Sequence, residues 1–192
     1  MKVPFMRFNT LAAVAVSLAS LIAVPALASE TPVLNEPATI GAGVGYFDLF
    51  NHNDQHKAAA DFRLEYRSAF DMLGLAKAHN SVIAIRPFGG IETSSDGMLY
   101  GLGGFVFDVP VGKHFVLSPN IGVGLFYNGD GKRLGSFVEF RSTMELGYKF
   151  DGGTRVTTAF GHISNAGLTD RNPGSEILTL YVHVPVDKVF SK

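Results

Sequence analysis

The chain has no cysteine among its 192 residues. Its stability therefore cannot rest on disulfides, whatever compartment it folds in. It also lacks a charge excess. Sixteen basic residues stand against 17 acidic ones, so there is no basic footprint of the kind that nucleic-acid partners require. Beyond the first 28 residues, no apolar run reaches the ~18 residues of a membrane helix. If the rest of the chain enters a membrane, it must do so as a closed barrel.

What is present begins with a leader-like start. MKVPFMRFNT carries only Lys2 and Arg7 as charges. An apolar run from Leu11 to Val24 follows, then Pro25-Ala26-Leu27-Ala28. A basic start, a short apolar centre and an A-x-A end are the parts of a secretory signal peptide. The expected boundaries are 1–28 for the signal peptide, 29–38 (SETPVLNEPA) for a loose polar segment, and 39–192 for the folded domain.

That domain is rich in glycine and aromatics, with 22 Gly, 16 Phe and 6 Tyr. It divides into stretches of about ten residues separated by turn-forming residues. The spacing predicts strands over Ile40–Phe50, Ala59–Arg67, Val82–Glu92, Met98–Asp108, His114–Tyr127, Ser136–Tyr148, Thr154–Ser164 and Glu176–Val186. Period-two alternation is strictest in the second and sixth. Phe62, Leu64 and Tyr66 oppose Asp61, Arg63, Glu65 and Arg67; Val138, Phe140, Met144, Leu146 and Tyr148 oppose Glu139, Arg141, Thr143 and Glu145. Asp71–Asn80 carries only a weak signal for one helical turn.

Eight strands with short connections predict an all-β fold, an up-and-down antiparallel barrel. Two kinds fit, and they invert each other. A transmembrane barrel is apolar outside and polar inside; a soluble lipocalin-like binder is the reverse. The charges of both signs on matching faces favour the membrane kind, where they would pair into a plug. So do the unbroken apolar face of Leu178, Leu180, Val182, Val184 and Val186, and the aromatics near strand ends. With the N-terminus in the periplasm, NHNDQHK, NGDGKRLG and AGLTDRNPGS become external loops, and VPVGK and DGG periplasmic turns.

The stretch FGHISNAGLTDRNPGSEI, residues 160–177, holds the candidate chemistry. Val156 and Phe160 mark the outer side of the seventh strand, and His162 and Ser164 share that side. Glu176 shares the outer side of the eighth strand with Leu178 and Leu180. Antiparallel pairing brings His162, Ser164 and Glu176 together at the external rim. Polar groups facing hydrocarbon are costly, so three of them converging call for a reason. A hydroxyl needs a base to become a nucleophile; imidazole supplies one near neutral pH, and a carboxylate orients it. The amide of Asn165, or a backbone N–H near Gly167, is the candidate oxyanion donor. The competing reading is a turn-capping cluster, since Ser and Asn are common at turns.

GHISNAGL followed by NPGSE resembles the lipid A 3-O-deacylases of the PagL type, outer-membrane esterases of Gram-negative bacteria with an eight-stranded barrel. GVGYFDLF near Gly43 and ADFRLEYR near Asp61 also look like this family. The resemblance implies Ser164 as nucleophile, His162 as base, Glu176 as orienting acid, and Asn165 with Gly167 at the oxyanion. It implies hydrolysis of the ester holding a 3-hydroxyacyl chain at the 3 position of lipid A, in the outer leaflet, without metal or cofactor. The implied partners are lipopolysaccharide and outer-membrane lipid, with a homodimer left open. The alternatives are a non-catalytic structural or adhesive barrel, and a phospholipase or acyltransferase with the same triad. Lys132 and Arg133 are candidate contacts to the anionic glycolipid, or solvated loop charges.

Other signals are discounted. His52 and His56 flank Asp54 in a loop with no further matching ligand. Asn128–Lys132 lacks the distal Glu of a Ca²⁺ loop. His114 and His183 are single residues expected at the rim or inside the barrel. The signal-peptide reading predicts that protein recovered from the cell envelope begins at Ser29. Intact-mass spectrometry checks this, and a chain still starting at Met1 would make the segment an anchor.

Overall fold

The computed structural model describes residues 36–50, 58–72 and 83–191. The signal-peptide reading, the loop holding His52, Asp54 and His56, and most of Asp71–Asn80 lie outside the described residues. Nine strands form one sheet: β1 (Thr39–Phe47), β2 (Ala59–Arg67), β3 (Ala84–Ser94), β4 (Leu99–Val111), β5 (Phe115–Leu117), β6 (Asn120–Tyr127), β7 (Val138–Lys149), β8 (Arg155–Ser164) and β9 (Ser175–Pro185). All pairings are antiparallel; apart from β4 with β6 and β5 with β7 they join chain neighbours, and β1 pairs with β9 to close the ring.

β5 and β6 are one strand of the barrel. Both lie between β4 and β7, and the register on each side continues unbroken from Leu117 to Asn120. The interruption is Ser118-Pro119, because proline has no N–H for the ladder. The Pro119 carbonyl still accepts from the Phe107 N–H at 2.9 Å. The result is the expected eight-stranded antiparallel barrel.

Strand ends differ from expectation by up to three residues. The last strand stops at Pro185 rather than Val186, and a short helix α1, Val186–Phe190, follows. Thr39, the first residue of β1, already faces Pro185. One more backbone bond, from the Val186 N–H to the Ala38 carbonyl at 2.8 Å, follows before the chain turns into the helix.

The alternation sorts outward from inward as a lipid solvent requires. Phe62, Leu64, Ile91, Leu125, Leu146 and Leu180 are about half exposed on the outside. Inside, Asp61, Arg63, Glu65, Arg67, Glu92, Arg141 and Glu145 are buried. This inverts a soluble binding barrel, so the lipocalin-like alternative fails. Exposed aromatics gather at both rims: Tyr46, Phe50, Tyr127 and Phe137 at one, and Phe70, Phe115, Tyr148 and Phe150 at the other. These are the interfacial girdles of a membrane barrel.

The interior charges form two linked clusters. In the first, Arg63 meets Asp61 (2.7 Å) and Glu92 (3.2 Å), Arg141 bridges Glu92 and Glu65 (3.1 Å each), and Arg67 joins Glu65 (2.7 Å) to Glu145 (2.5 Å). In the second, Asp108 holds Arg86 (2.8 Å) and Arg155 (3.0 Å), and Glu36 holds Arg155 (3.1 Å) and Lys149 (2.5 Å). The first has one carboxylate more than it has cations and the second one cation more than carboxylates, so together they balance. The two clusters make a plug rather than a channel; Glu139, buried outside both, accepts the Ser136 N–H at 3.2 Å. Gly41 and Gly43 make room for the plug, since a Cβ at either would strike the rings of His183 and Tyr181.

At the rim opposite the chain termini the filling turns apolar. Phe47, Met98, Tyr100, Phe126, Leu134, Ile163 and Ile177 form a buried cluster there. Phe47 stacks on Phe126, and the Tyr100 hydroxyl donates to the Glu139 carbonyl at 2.9 Å.

Because Arg141 neutralises two buried carboxylates, Arg141→Met is expected to destabilise the barrel by about 3–5 kcal/mol. The urea midpoint of the barrel in detergent, followed by its heat-modifiable gel mobility, measures this. Adding Glu65→Gln and Glu92→Gln should recover most of the loss, because neutral groups then face one another.

Candidate active site

β8 and β9 run antiparallel with His162 directly opposite Glu176 in the ladder. Both side chains point outward, because Gly161, Ile163, Ser175 and Ile177 on either side of them face the interior. The imidazole Nδ1 lies 3.4 Å from Glu176 Oε1, with the two side chains 45% and 23% exposed. That is ion-pair range, slightly longer than a formed N–H···O bond. Catalytic hydrogen bonds are often loose without substrate.

Ser164, half-buried, is the last residue of β8, two positions beyond His162 on the same face. Two residues of strand separate their Cα atoms by roughly 6.5 Å, a gap the two side chains can span. With Nδ1 turned to Glu176, Nε2 is the ring nitrogen turned away from the carboxylate. Gly174, at φ +63°, packs against that edge of the ring. A Cβ there would sit 2.6 Å from His162 Cε1 and 3.0 Å from Nε2. The turn thus uses glycine both for its backbone conformation and for close approach to the imidazole. Ile163 and Ile177 anchor the two outward residues from behind, in the apolar cluster.

The structure puts Asn165 in an unexpected setting. Its side chain is fully buried. Nδ2 lies within hydrogen-bond distance of the Arg171 carbonyl (2.8 Å), Thr169 Oγ1 (3.0 Å) and the Leu134 carbonyl (3.2 Å). Oδ1 accepts the Gly167 N–H at 2.9 Å, and the Asn165 N–H donates to Asn172 Oδ1 at 3.0 Å. Two amide hydrogens with three oxygen neighbours leave nothing spare in this geometry. Asn165 ties the 165–174 loop to the 128–137 loop and shapes the turn, in which Ala166 (φ +54°) and Gly167 (φ +81°) are left-handed.

A second anchor was not legible in the sequence. Asp48, just past β1, is a non-glycine residue at φ +60°, a conformation that costs about 1–2 kcal/mol. Its carboxylate accepts from Lys132 Nζ (2.5 Å) and Ser175 Oγ (3.3 Å). The next residue, Leu49, donates its N–H to the Glu176 carbonyl at 3.0 Å. Two other segments, 48–49 directly and the Lys132 loop through Asp48, therefore hold the backbone that carries Glu176. Lys132 is only 11% exposed in this pair, so it is a structural tie rather than a free charge, whether solvated or turned to a glycolipid. Arg133 is exposed. No sequence signal marks Asp48, because its partners are 84 and 127 residues away.

Two of the discounted histidines, His114 and His183, fall within the described residues. His114 stacks on Tyr148 at the rim, and His183 lies inside near Glu145. Among the described residues no group of three or more His, Asp or Glu could hold a metal ion.

A family model described as lipid A 3-O-deacylase (PagL) matches residues 87–185, a span that includes His162, Ser164 and Glu176. The lipid A deacylase PagL of Bordetella bronchiseptica (strain ATCC BAA-588 / NCTC 13252 / RB50) is 32% identical over 71 residues. Those residues are 36% of this chain and 40% of the relative, so the match spans less than half the length of that curated protein. Among solved structures, the crystal structure of the outer membrane enzyme PagL is similar at TM-score 0.57 and 24% identity. It covers 77% of this chain and 99% of that one, a likeness of fold.

The anchoring of Asp48 carries a prediction. Lys132→Met leaves a buried carboxylate without its cation and should lower stability by about 3–5 kcal/mol. Asp48→Asn in the same chain should restore part of it. Urea unfolding of the three proteins in detergent checks the order.

Proposed function

The chain belongs to the lipid A 3-O-deacylase (PagL) family, and from that premise we propose that it is an outer-membrane esterase removing the ester-linked 3-hydroxyacyl chain at the 3 position of lipid A. One observation carries the reading beyond the family match. The imidazole of His162 and the carboxylate of Glu176 face each other across two strands on the outer surface, where a membrane barrel otherwise shows hydrocarbon. Ser164 stands on the same face, one step nearer the rim.

In this mechanism the Ser164 hydroxyl attacks the ester carbonyl and passes its proton to His162 Nε2. Glu176 holds Nδ1–H and steadies the imidazolium. The sugar oxygen leaves with the proton from Nε2, and an acyl-serine remains. The same imidazole then deprotonates a water, which releases the 3-hydroxy acid and returns Ser164. Every proton and electron pair is accounted for without a metal or organic cofactor.

Asn165 and Gly167 are the proposed oxyanion residues, with the roles divided. Asn165 builds the turn. The Gly167 N–H would exchange its acceptor, Asn165 Oδ1, for the oxyanion as charge develops. With the termini in the periplasm, the site rim meets the outer leaflet, where lipid A lies. The hydroxyl and imidazole then sit at the interface, where a polar group costs less than at the bilayer centre.

The test is a mass spectrum of lipid A from cells expressing the wild type, Ser164→Ala or Glu176→Ala. Wild type should remove one 3-hydroxyacyl chain. Ser164→Ala should match cells without the protein, and Glu176→Ala should retain slow activity, down by about 10²–10⁴. If the wild type, folded in the outer membrane, leaves lipid A unchanged, the deacylase reading falls.

A further inference from the structure

The imidazole of His162 has two neighbours in the sheet, and only one belongs to the triad. On the β9 side it faces Glu176. On the β7 side it faces Ser142. Ser142 points outward, because Arg141 and Thr143 on either side of it are buried. It is half-buried, the one polar residue in the outward row of β7 otherwise made of Val138, Phe140, Met144, Leu146 and Tyr148. Among the described residues its hydroxyl has no hydrogen-bond partner. Glu176, His162 and Ser142 thus form one polar row across three strands.

Register gives this row its depth. Ser164 lies opposite Phe140, His162 opposite Ser142, and Phe160 opposite Met144. Directly paired residues in a ladder are about 4.5–5.5 Å apart at Cα, and diagonal neighbours about 7–8 Å. Ser142 is therefore beside the imidazole and diagonal to Ser164, one step further from the rim. An acyl chain whose carbonyl sits at Ser164 must run away from the rim into hydrocarbon. It passes the level of Ser142 before reaching Met144 and Phe160.

A hydroxyl held against hydrocarbon without a partner is unfavourable. The same holds for the 3-hydroxyl of the acyl chain, carried on the second carbon beyond the carbonyl. We propose that Ser142 is a specificity residue, whose hydroxyl hydrogen-bonds the 3-hydroxyl of the acyl group being cleaved. This inference rests on the esterase reading above and deepens it. A plain acyl chain would leave Ser142 unpaired, and sites built around a hydroxyl discriminate against analogues that lack it.

The experiment uses the full chain refolded in detergent micelles, with p-nitrophenyl decanoate and p-nitrophenyl 3-hydroxydecanoate as paired substrates. The readout is the ratio of kcat/KM for the two esters. The wild type should favour the hydroxylated ester about tenfold, the scale of one hydrogen bond. Ser142→Ala should bring the ratio close to one, and Ser142→Thr, which keeps a hydroxyl, should hold most of the preference. Ser142→Ala removes a polar group from the outer surface, so its heat-modifiable mobility should match the wild type and exclude misfolding. An unchanged ratio in Ser142→Ala overturns the proposal while leaving the esterase intact. Equal loss on both esters also overturns it, and assigns the hydroxyl to the imidazole instead. A wild type inactive on both esters sinks this inference together with the esterase reading.

Discussion

A sheet surrounded by hydrocarbon cannot keep an open edge, and the pairing of β1 with β9 removes it. The other features hang on this seam. Closing eight strands puts half of all side chains into a space just wide enough to be filled. The chain fills it with charges that cancel, from Asp61 at one level to Glu36 near the termini. The seam also reaches into the candidate site. Phe47 pairs with Ile177, and past the end of β1 the Leu49 N–H still finds the Glu176 carbonyl. The proposed acid therefore stands on the strand that closes the ring.

The interior changes character along the barrel for a physical reason. Ion pairs hold their geometry only when each charge is matched, and they tolerate little rearrangement. Packed aromatics and aliphatics give a stiff wall with no orphaned polar groups. The second kind lies directly behind His162 and Glu176, through Ile163 and Ile177. The loops complete the enclosure by binding to each other: Asn165 contacts Leu134 and Arg171, and Lys132 reaches Asp48. A site on the outer surface of a barrel has no cleft to give it rigidity. Here the rigidity comes from the plug behind and the interlocked loops above.

Placing polar groups on that surface sets a tension between reactivity and solvation. Imidazole, carboxylate and hydroxyl are stable there only near the interface or when paired. His162 and Glu176 face each other at 3.4 Å, and the girdle residues Tyr46 and Phe50 lie at the same rim. The Phe50 ring approaches Phe160, 6.1 Å between centroids, just below the imidazole. The proposed substrate is itself amphipathic, with ester and hydroxyls at the interface and chains in the hydrocarbon, so its chemistry matches that gradient.

Period-two alternation was enough to read eight strands, their inner and outer faces, and the shared outer face of His162, Ser164 and Glu176, because in a strand the face of a residue follows from its parity alone. Inside against outside was harder, since the same pattern serves a soluble barrel; the buried charges of Asp61, Arg63 and Glu65 decide it. Strand ends were misjudged by up to three residues, as at Phe47, where β1 stops short of Phe50, and a proline at 119 interrupts the fifth strand without ending it. Other features required the tertiary structure. Lys132 looked like a free surface cation and is bound to Asp48. Asn165 looked like an open donor, but its amide is engaged in the turn. Ser142 looked like one residue of an alternating strand and stands beside the imidazole. Sequence alone determined which face each side chain takes, because backbone geometry is local. Which side chains meet was decided only by closure and register, because those contacts join segments far apart in the chain.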